Sequence, residues 1–280
     1  MAVFSPFGGA VMLLIGGLLG APSLRLVASF PVARSEVSSD RLVDLTHTLD
    51  SSTIFWPNIP APYGNFTLET LDDTLSDQGY YYRSKAFRAA EHGGTHVDAP
   101  SHFAKNGSDT GQLPAEQFFG PAIVIDVTQK VKLNPDYQVT REDINEHESR
   151  HGRIPSGAFV FMNSGWTSKW PDRVKVFGSA DPANVSSLHY PSVHSNTTHF
   201  LIKERDIRGL GVDTPSVDAA PRDNAHPGTH IALADSNRIA LENVANLNKM
   251  PAAGAFVLVL PMKIAGGSGG PVRILGVLSQ

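Results

Sequence analysis

Cysteine is absent from the 280 residues. That excludes disulfides, cysteine nucleophiles, cysteine-ligated zinc and iron–sulfur clusters. It says nothing of compartment, because a domain of this size builds enough core without disulfides. Runs of Lys and Arg are missing too, and the formal net charge is -4. The basic footprint of a nucleic-acid partner is therefore lacking. There is no internal repeat. The glycine run Gly266–Gly270 precedes a strand pattern and does not open a helix. It has the context of neither a dinucleotide loop nor a serine nucleophile elbow. Ser-His-Asp hydrolysis accordingly ranks below metal chemistry.

Hydrophobic residues make up 41% of the chain and charged residues 18%, which suits a globular core. Gly and Pro occur 25 and 20 times without a period, so loops are abundant. Residues 1–30 stand apart. Gly8 to Gly20 reads GGAVMLLIGGLLG, and Arg25 is the first charged side chain. This stretch fits a signal-peptide core and is short for a membrane span. The expectation is a secreted or extracellular protein, or a cytoplasmic one if the segment is not a signal. No stable membrane partner is expected. Residues 31–40 read as a linker and 41–280 as the functional domain. Four Asn-x-Ser/Thr sequons, at Asn65, Asn106, Asn184 and Asn196, are acceptors only in a eukaryotic secretory route.

The strand signals are Arg41–Leu49, the alternating stretch 66–90 with a turn at Asp77–Gly79, and the apolar runs at 121–128, 157–166, 255–264 and 271–278. VTREDINEHESRHG predicts a helix capped by Thr140 and ending near Gly152. NRIALENVANL reads as a short helix, and Gly266–Gly270 as a flexible turn. The order predicts an α/β fold: one domain with a central mixed sheet or barrel-like core and a few packed helices.

The densest chemistry is HGGTHVDAPSHF, residues 92–103, which holds His92, His96, Asp98 and His102. Imidazole and carboxylate donors suit zinc or manganese. The glycines permit a sharp fold that lets these groups converge. The plainer alternative is a loop whose histidines bond only to backbone. A second group, His226, His230 and Glu242, preceded by Asp213 and Asp218, is weak taken alone.

HGGTHVDAPSHF resembles the signature of the metal-dependent cyclase-type hydrolases, which include bacterial kynurenine formamidases and isatin hydrolases. The resemblance runs from about Arg41 to Leu278 and takes in GVDTPSVD, His230 and Leu241-Glu242-Asn243. It implies that His92, His96 and Asp98 are metal ligands, with the aspartate bridging two ions in two-metal members. It implies that His230 and Glu242 complete the second site and that His102 acts as acid or base. It further implies a divalent cofactor, zinc or manganese, as one or two ions. A barrel-like core and a homo-oligomer, dimer or tetramer, also follow from it. The expected activity is hydrolysis of a small aromatic amide, N-formyl-L-kynurenine first and isatin or a related cyclic amide second. A noncatalytic metal-dependent binding protein is a third reading. Phe55, Trp56, Ser164, Trp166 and His199 are the candidates for substrate contact, each with an ordinary core or turn role as its alternative.

Overall fold

A computed structural model describes residues 38–221 and 226–279. The apolar segment 1–30 and most of the 31–40 linker lie outside the described residues. In chain order the strands are β1 (Leu42–Asp44), β2 (Thr67–Leu75), β3 (Tyr81–Arg88), β4 (His96–Asp98), β5 (Phe119–Asp126), β6 (Gln138–Val139), β7 (Phe159–Asn163), β8 (Ser192–Val193), β9 (Gly209–Val212), β10 (Ile239–Glu242), β11 (Ala255–Pro261) and β12 (Gly269–Val277). The helices are α1 (Thr128–Leu133), α2 (Arg141–His151), α3 (Arg173–Phe177), α4 (Ser195–Arg205) and α5 (Gly228–Asp235).

Seven strands close on themselves in the order β12–β11–β5–β7–β9–β10–β4, with β4 returning to β12. The run β5–β7–β9–β10 is parallel and the other pairings are antiparallel. The result is a mixed barrel. Strand β12 is long enough for one edge to take β4 at Gly269–Pro271 and β1 at Leu275–Val277.

Both faces of the parallel strands are covered, which explains their unbroken apolar runs. Along β5, Val124 joins an inner cluster with Phe159, Phe161, Leu241, Val257 and Ile274. Its neighbours Ile123 and Ile125 join an outer cluster with Val160, Met162, Ile144 of α2 and Leu201 of α4. This is the two-residue alternation of a strand with helices packed outside. Strand β9 reads Gly-Leu-Gly-Val for a steric reason. A Cβ on Gly211 would lie 2.4 Å from the Phe161 ring, so the glycines make room for the barrel's phenylalanines.

Several expectations hold. Strands β2 and β3 form a hairpin turning at Asp77–Gly79, with Gly79 at φ +84. Helix α2 starts at a capping box between Thr140 and Asp143 and stops at Gly152. Two expectations need correction. NRIALENVANL is not helical: Ile239–Glu242 is strand β10, fully buried, and Asn237 and Asn243 bracket it with positive φ. Gly269 and Gly270 are not turn residues but the first residues of β12, and they pair with Asp98 and Val97 to close the barrel. The four sequon asparagines are all exposed.

Candidate metal centre and active site

The barrel closure brings the chemistry together. Strand β4 carries His96 and Asp98, and its register with β10 sets Glu242 opposite His96. Helix α5 delivers His230 from outside the sheet. His92 and His102 flank β4 at its two ends. Gly93 is held against Phe55, where a Cβ would sit 2.1 Å from the ring.

Asp98 is the hub. Its Oδ1 lies 2.6 Å from His92 Nδ1 and 3.3 Å from His96 Nε2, and its Oδ2 lies 3.3 Å from His230 Nε2. Glu242 stands opposite, with Oε1 3.1 Å from His230 Nε2 and Oε2 3.5 Å from His96 Nε2. His96, Asp98, His230 and Glu242 are all buried.

The outward hydrogen bonds of these imidazoles fix where their protons are. His96 Nδ1 is 3.0 Å from the Gly94 carbonyl and donates to it. His230 Nδ1 is 2.6 Å from Asp218 Oδ2, a carboxylate that also accepts from the Thr229 and His230 amides. His92 Nε2 is 2.9 Å from Ser268 Oγ, and that hydroxyl gives its own proton to Glu91 Oε2 at 2.7 Å. His96 and His230 thus spend one N–H outward and turn Nε2 toward Asp98 and Glu242, while His92 is hydrogen-bonded at both ring nitrogens, to Ser268 and to Asp98. Two buried carboxylates facing three ring nitrogens call for positive charge at the centre, which either a bound cation or protons on the rings supply. Asp98 Oδ2, buried without a hydrogen-bond partner, tells the same story.

The electrostatics agree. Burial pulls His96 down, but Asp98 and Glu242 outweigh it and hold its pKa up at about 9. His230 is likewise raised, with Asp218, Asp98 and Glu242 overcoming burial. Asp98 is held well below the usual carboxylate range by His96, His230 and His92 despite its burial. These rings would take protons where a divalent ion would otherwise sit. Two triads are close enough to ligate: His96, Asp98 and Glu242, and His92, Asp98 and His102. Nitrogen and carboxylate donors without sulfur fit zinc or manganese.

The structure also brings His102 here, stacked on His92 with ring centroids 3.9 Å apart. It sits at the mouth with solvent access. Packing around the ring lowers its pKa to about 4, so it is neutral at physiological pH.

A cavity of about 350 Å³ opens over these groups. Phe55 and Trp56 line it, as expected, together with Phe103, Phe177 and Tyr190. Trp56 meets Phe177 and Tyr190 edge-on at 5.9 and 6.5 Å. Ser164, Trp166 and His199 are not among the lining residues. Ser164 donates to buried Asp213, and Trp166 is core, its Nε1 bonded to the Val176 carbonyl. His199 is exposed on α4. The loop after β7 therefore anchors on Asp213 and turns away from the cavity. In the sequence Asp218 stood out only beside a group weak on its own, and Ser268 did not stand out at all. The signal for Asp218 was its place at the end of GVDTPSVD. Ser268 had none, because its partner His92 lies 176 positions away.

Comparison with known proteins decides the family. Residues 43–219 match the family described as "Putative cyclase". This chain belongs to that cyclase family. It is 32% identical over 196 residues to an isatin hydrolase of Roseibium aggregatum, covering 68% of this chain and 73% of that one. It is 29% identical over 236 residues to a kynurenine formamidase of Salinibacter ruber, covering 83% and 95%. The structure of isatin hydrolase A from Ralstonia solanacearum superposes with a TM-score of 0.75 at 32% identity, over 85% of this chain and 92% of that one. The cyclase fold and a metal-dependent hydrolase acting on cyclic or aromatic amides follow from these likenesses together with the ligand cluster.

Proposed function

We propose that this cyclase opens the ring of a small planar cyclic amide of the isatin class, with N-formylkynurenine as the second substrate reading. The observation that carries the hydrolase is the arrangement of His92, His96, Asp98, His230 and Glu242, with ring nitrogens turned on two buried carboxylates, at the floor of an aromatic cavity. The preference for a cyclic amide is supported by the likeness to isatin hydrolases in both sequence and structure. This moves N-formylkynurenine, the substrate expected first, into second place.

His92, His96, Asp98, His230 and Glu242 would hold one or two divalent ions. Such an ion supplies a water of lowered pKa and polarises a carbonyl. The chain's own groups do the remaining work. Phe55, Trp56 and Phe103 flank a flat ring and keep water from it. His102, neutral at the mouth, takes a proton at its free ring nitrogen and returns it to the leaving amide nitrogen. Asp218, Gly94 and Ser268 hold the ligand rings in one tautomer. Ser268, His92 and Asp98 resemble a Ser-His-Asp relay, but the serine proton goes to Glu91 rather than to His92. That direction of bonding argues against a serine nucleophile.

We also propose that the chain self-associates. Among the described residues its β2–β3 hairpin pairs with no other strand, and it exposes Leu68, Leu71, Leu75, Tyr81 and Phe87. No helix of the described residues is long and apolar enough to cross a membrane.

The deciding experiment is parallel hydrolysis of isatin and N-formylkynurenine by metal-stripped protein reconstituted with zinc or with manganese. Faster isatin opening supports the proposal, and faster formate release reverses the order of substrates. Turnover by fully chelated protein would overturn the metal reading.

A further inference from the structure

A second cluster lies away from this centre, on the far side of β5. Helix α2 ends in His147-Glu148-Ser149-Arg150-His151, so its two histidines stand one turn apart on the same face. Their ring centroids are 4.8 Å apart. Both line a cleft of about 260 Å³ between α2, α1 and the end of β5. We propose that His147 and His151 form an independent site for a borderline divalent ion of the zinc class.

Three observations carry it. First, His147 is only 8% exposed, yet its Nε2 is buried with no hydrogen-bond partner. A buried ring nitrogen without a partner calls for a ligand. Burial, and then His151 beside it, hold its pKa below the ordinary histidine value, so the ring is neutral, the form that ligates.

Second, the charges facing the cleft suit a cation. Lys130 and Arg150 are the positive groups there. Lys130 is already paired with Asp143 and Glu146, and Arg150 with Glu146. Asp126 is the third carboxylate of the cleft, so three carboxylates face two cationic groups and one negative charge is left over. His151 also stands in the last turn of α2, at the negative end of the helix dipole.

Third, the spacing is the H-E-x-x-H of helical zinc sites, but the glutamate is committed elsewhere. Arg205 Nε and Nη2 grip Glu148 at 2.6 and 2.8 Å, and the Ile154 amide donates to it at 2.9 Å. Glu148 cannot serve as a general base, so the site binds an ion without hydrolysing anything. Among the described residues, groups of three potential ligands occur only at the main centre. The ion on α2 therefore keeps water in its remaining positions and binds more weakly than at the main centre.

The test is titration of the metal-loaded full chain with Zn²⁺, followed by calorimetry, elemental analysis and thermal unfolding. Wild type should bind one further, weaker equivalent and gain melting temperature with it. His151→Ala should lose both, and because His151 is exposed the variant keeps its fold. His147→Gln should lose the same equivalent. No further equivalent in wild type, or an equal number in wild type and His151→Ala, overturns the proposal. The readout is stoichiometry, so it stands apart from whether the cyclic-amide reading succeeds.

Discussion

Asp218 grips His230 twice: its Oδ2 accepts from the ring Nδ1 at 2.6 Å and from the His230 backbone amide at 3.1 Å. The carboxylate thus fixes both the start of α5 and the tautomer of the ring. Asp218→Ala should leave the barrel intact and weaken metal affinity about 10- to 100-fold, the usual loss for an outer partner of a ligating histidine. Chelator competition on the purified variant checks this. Unchanged affinity would mean that His230 needs no such support.

His102 has two possible roles, because it lies within ligand reach of His92 and Asp98 and also at the cavity mouth. As the proton carrier, it can be replaced by Gln with metal content kept and turnover reduced roughly 10²–10⁴-fold. We expect that outcome. Loss of metal stoichiometry in His102→Gln would make the ring a ligand instead.

Much of the fold could be read from the chain. The apolar runs at β5 and β7 announced themselves, because strands covered on both faces need no polar alternation, and β11 did so because its exposed face carries Phe256, Leu258 and Leu260. Helix α2 announced its start through Thr140 and Asp143. Barrel closure could not be read, since it depends on pairing β4 with β10 and β12, partners more than 140 positions away. Strand β10 was hidden for a related reason. Ile239–Glu242 has helix-compatible residues, and only the neighbouring β9 and β4 make it a strand. The candidate site was legible because His92, His96, Asp98 and His102 crowd into eleven residues. The Ser164–Trp166 turn was not, because buried Asp213 decides which way it faces.

Trp56 stands half-buried between the cavity and the Phe177–Tyr190 wall. Trp56→Ala should raise the KM for a planar bicyclic amide roughly tenfold, about 1.4 kcal/mol of lost stacking and burial. The KM for a small acyclic formamide should move less. Measuring both substrates on one preparation separates a pocket role from general damage, and equal losses would place Trp56 in the scaffold alone.

Asp213 accepts from the Ser164 and Trp166 amides and from Ser164 Oγ, yet burial raises its pKa to about 6 from an ordinary 3.8. Between those values the folded protein holds more protons than the unfolded chain. The contribution of this group is therefore fully present below about pH 4 and is lost as pH rises through 6, on the order of 3 kcal/mol in all. Asp213→Asn removes that titration. The stability difference between wild type and variant in urea should shrink by this amount from pH 4 to pH 7. A constant difference would show that the hydrogen bonds keep the carboxylate near its ordinary pKa.

The β2–β3 hairpin makes a case for assembly. A two-stranded ribbon is marginal by itself in water, and among the described residues this one pairs with no other strand. Leu68 lies opposite Phe87 and Leu75 opposite Tyr81, so apolar pairs occur at both ends of the ribbon. All four are more than half exposed. Such a surface is stabilised by covering it, and a second copy offers the same apolar ribbon in return. Leu68→Asp combined with Leu75→Asp should shift the protein to monomer in sedimentation velocity, while the barrel retains its melting transition. The hairpin leads straight into His92, with the Ala90 amide bonded to the Tyr63 carbonyl at its root. Loss of assembly should therefore also loosen His92, the first of the proposed ligands, and lower metal affinity. A double variant that remains oligomeric would put the interface elsewhere on the barrel, with the exposed Phe256–Leu258–Leu260 stripe of β11 as the next surface to charge.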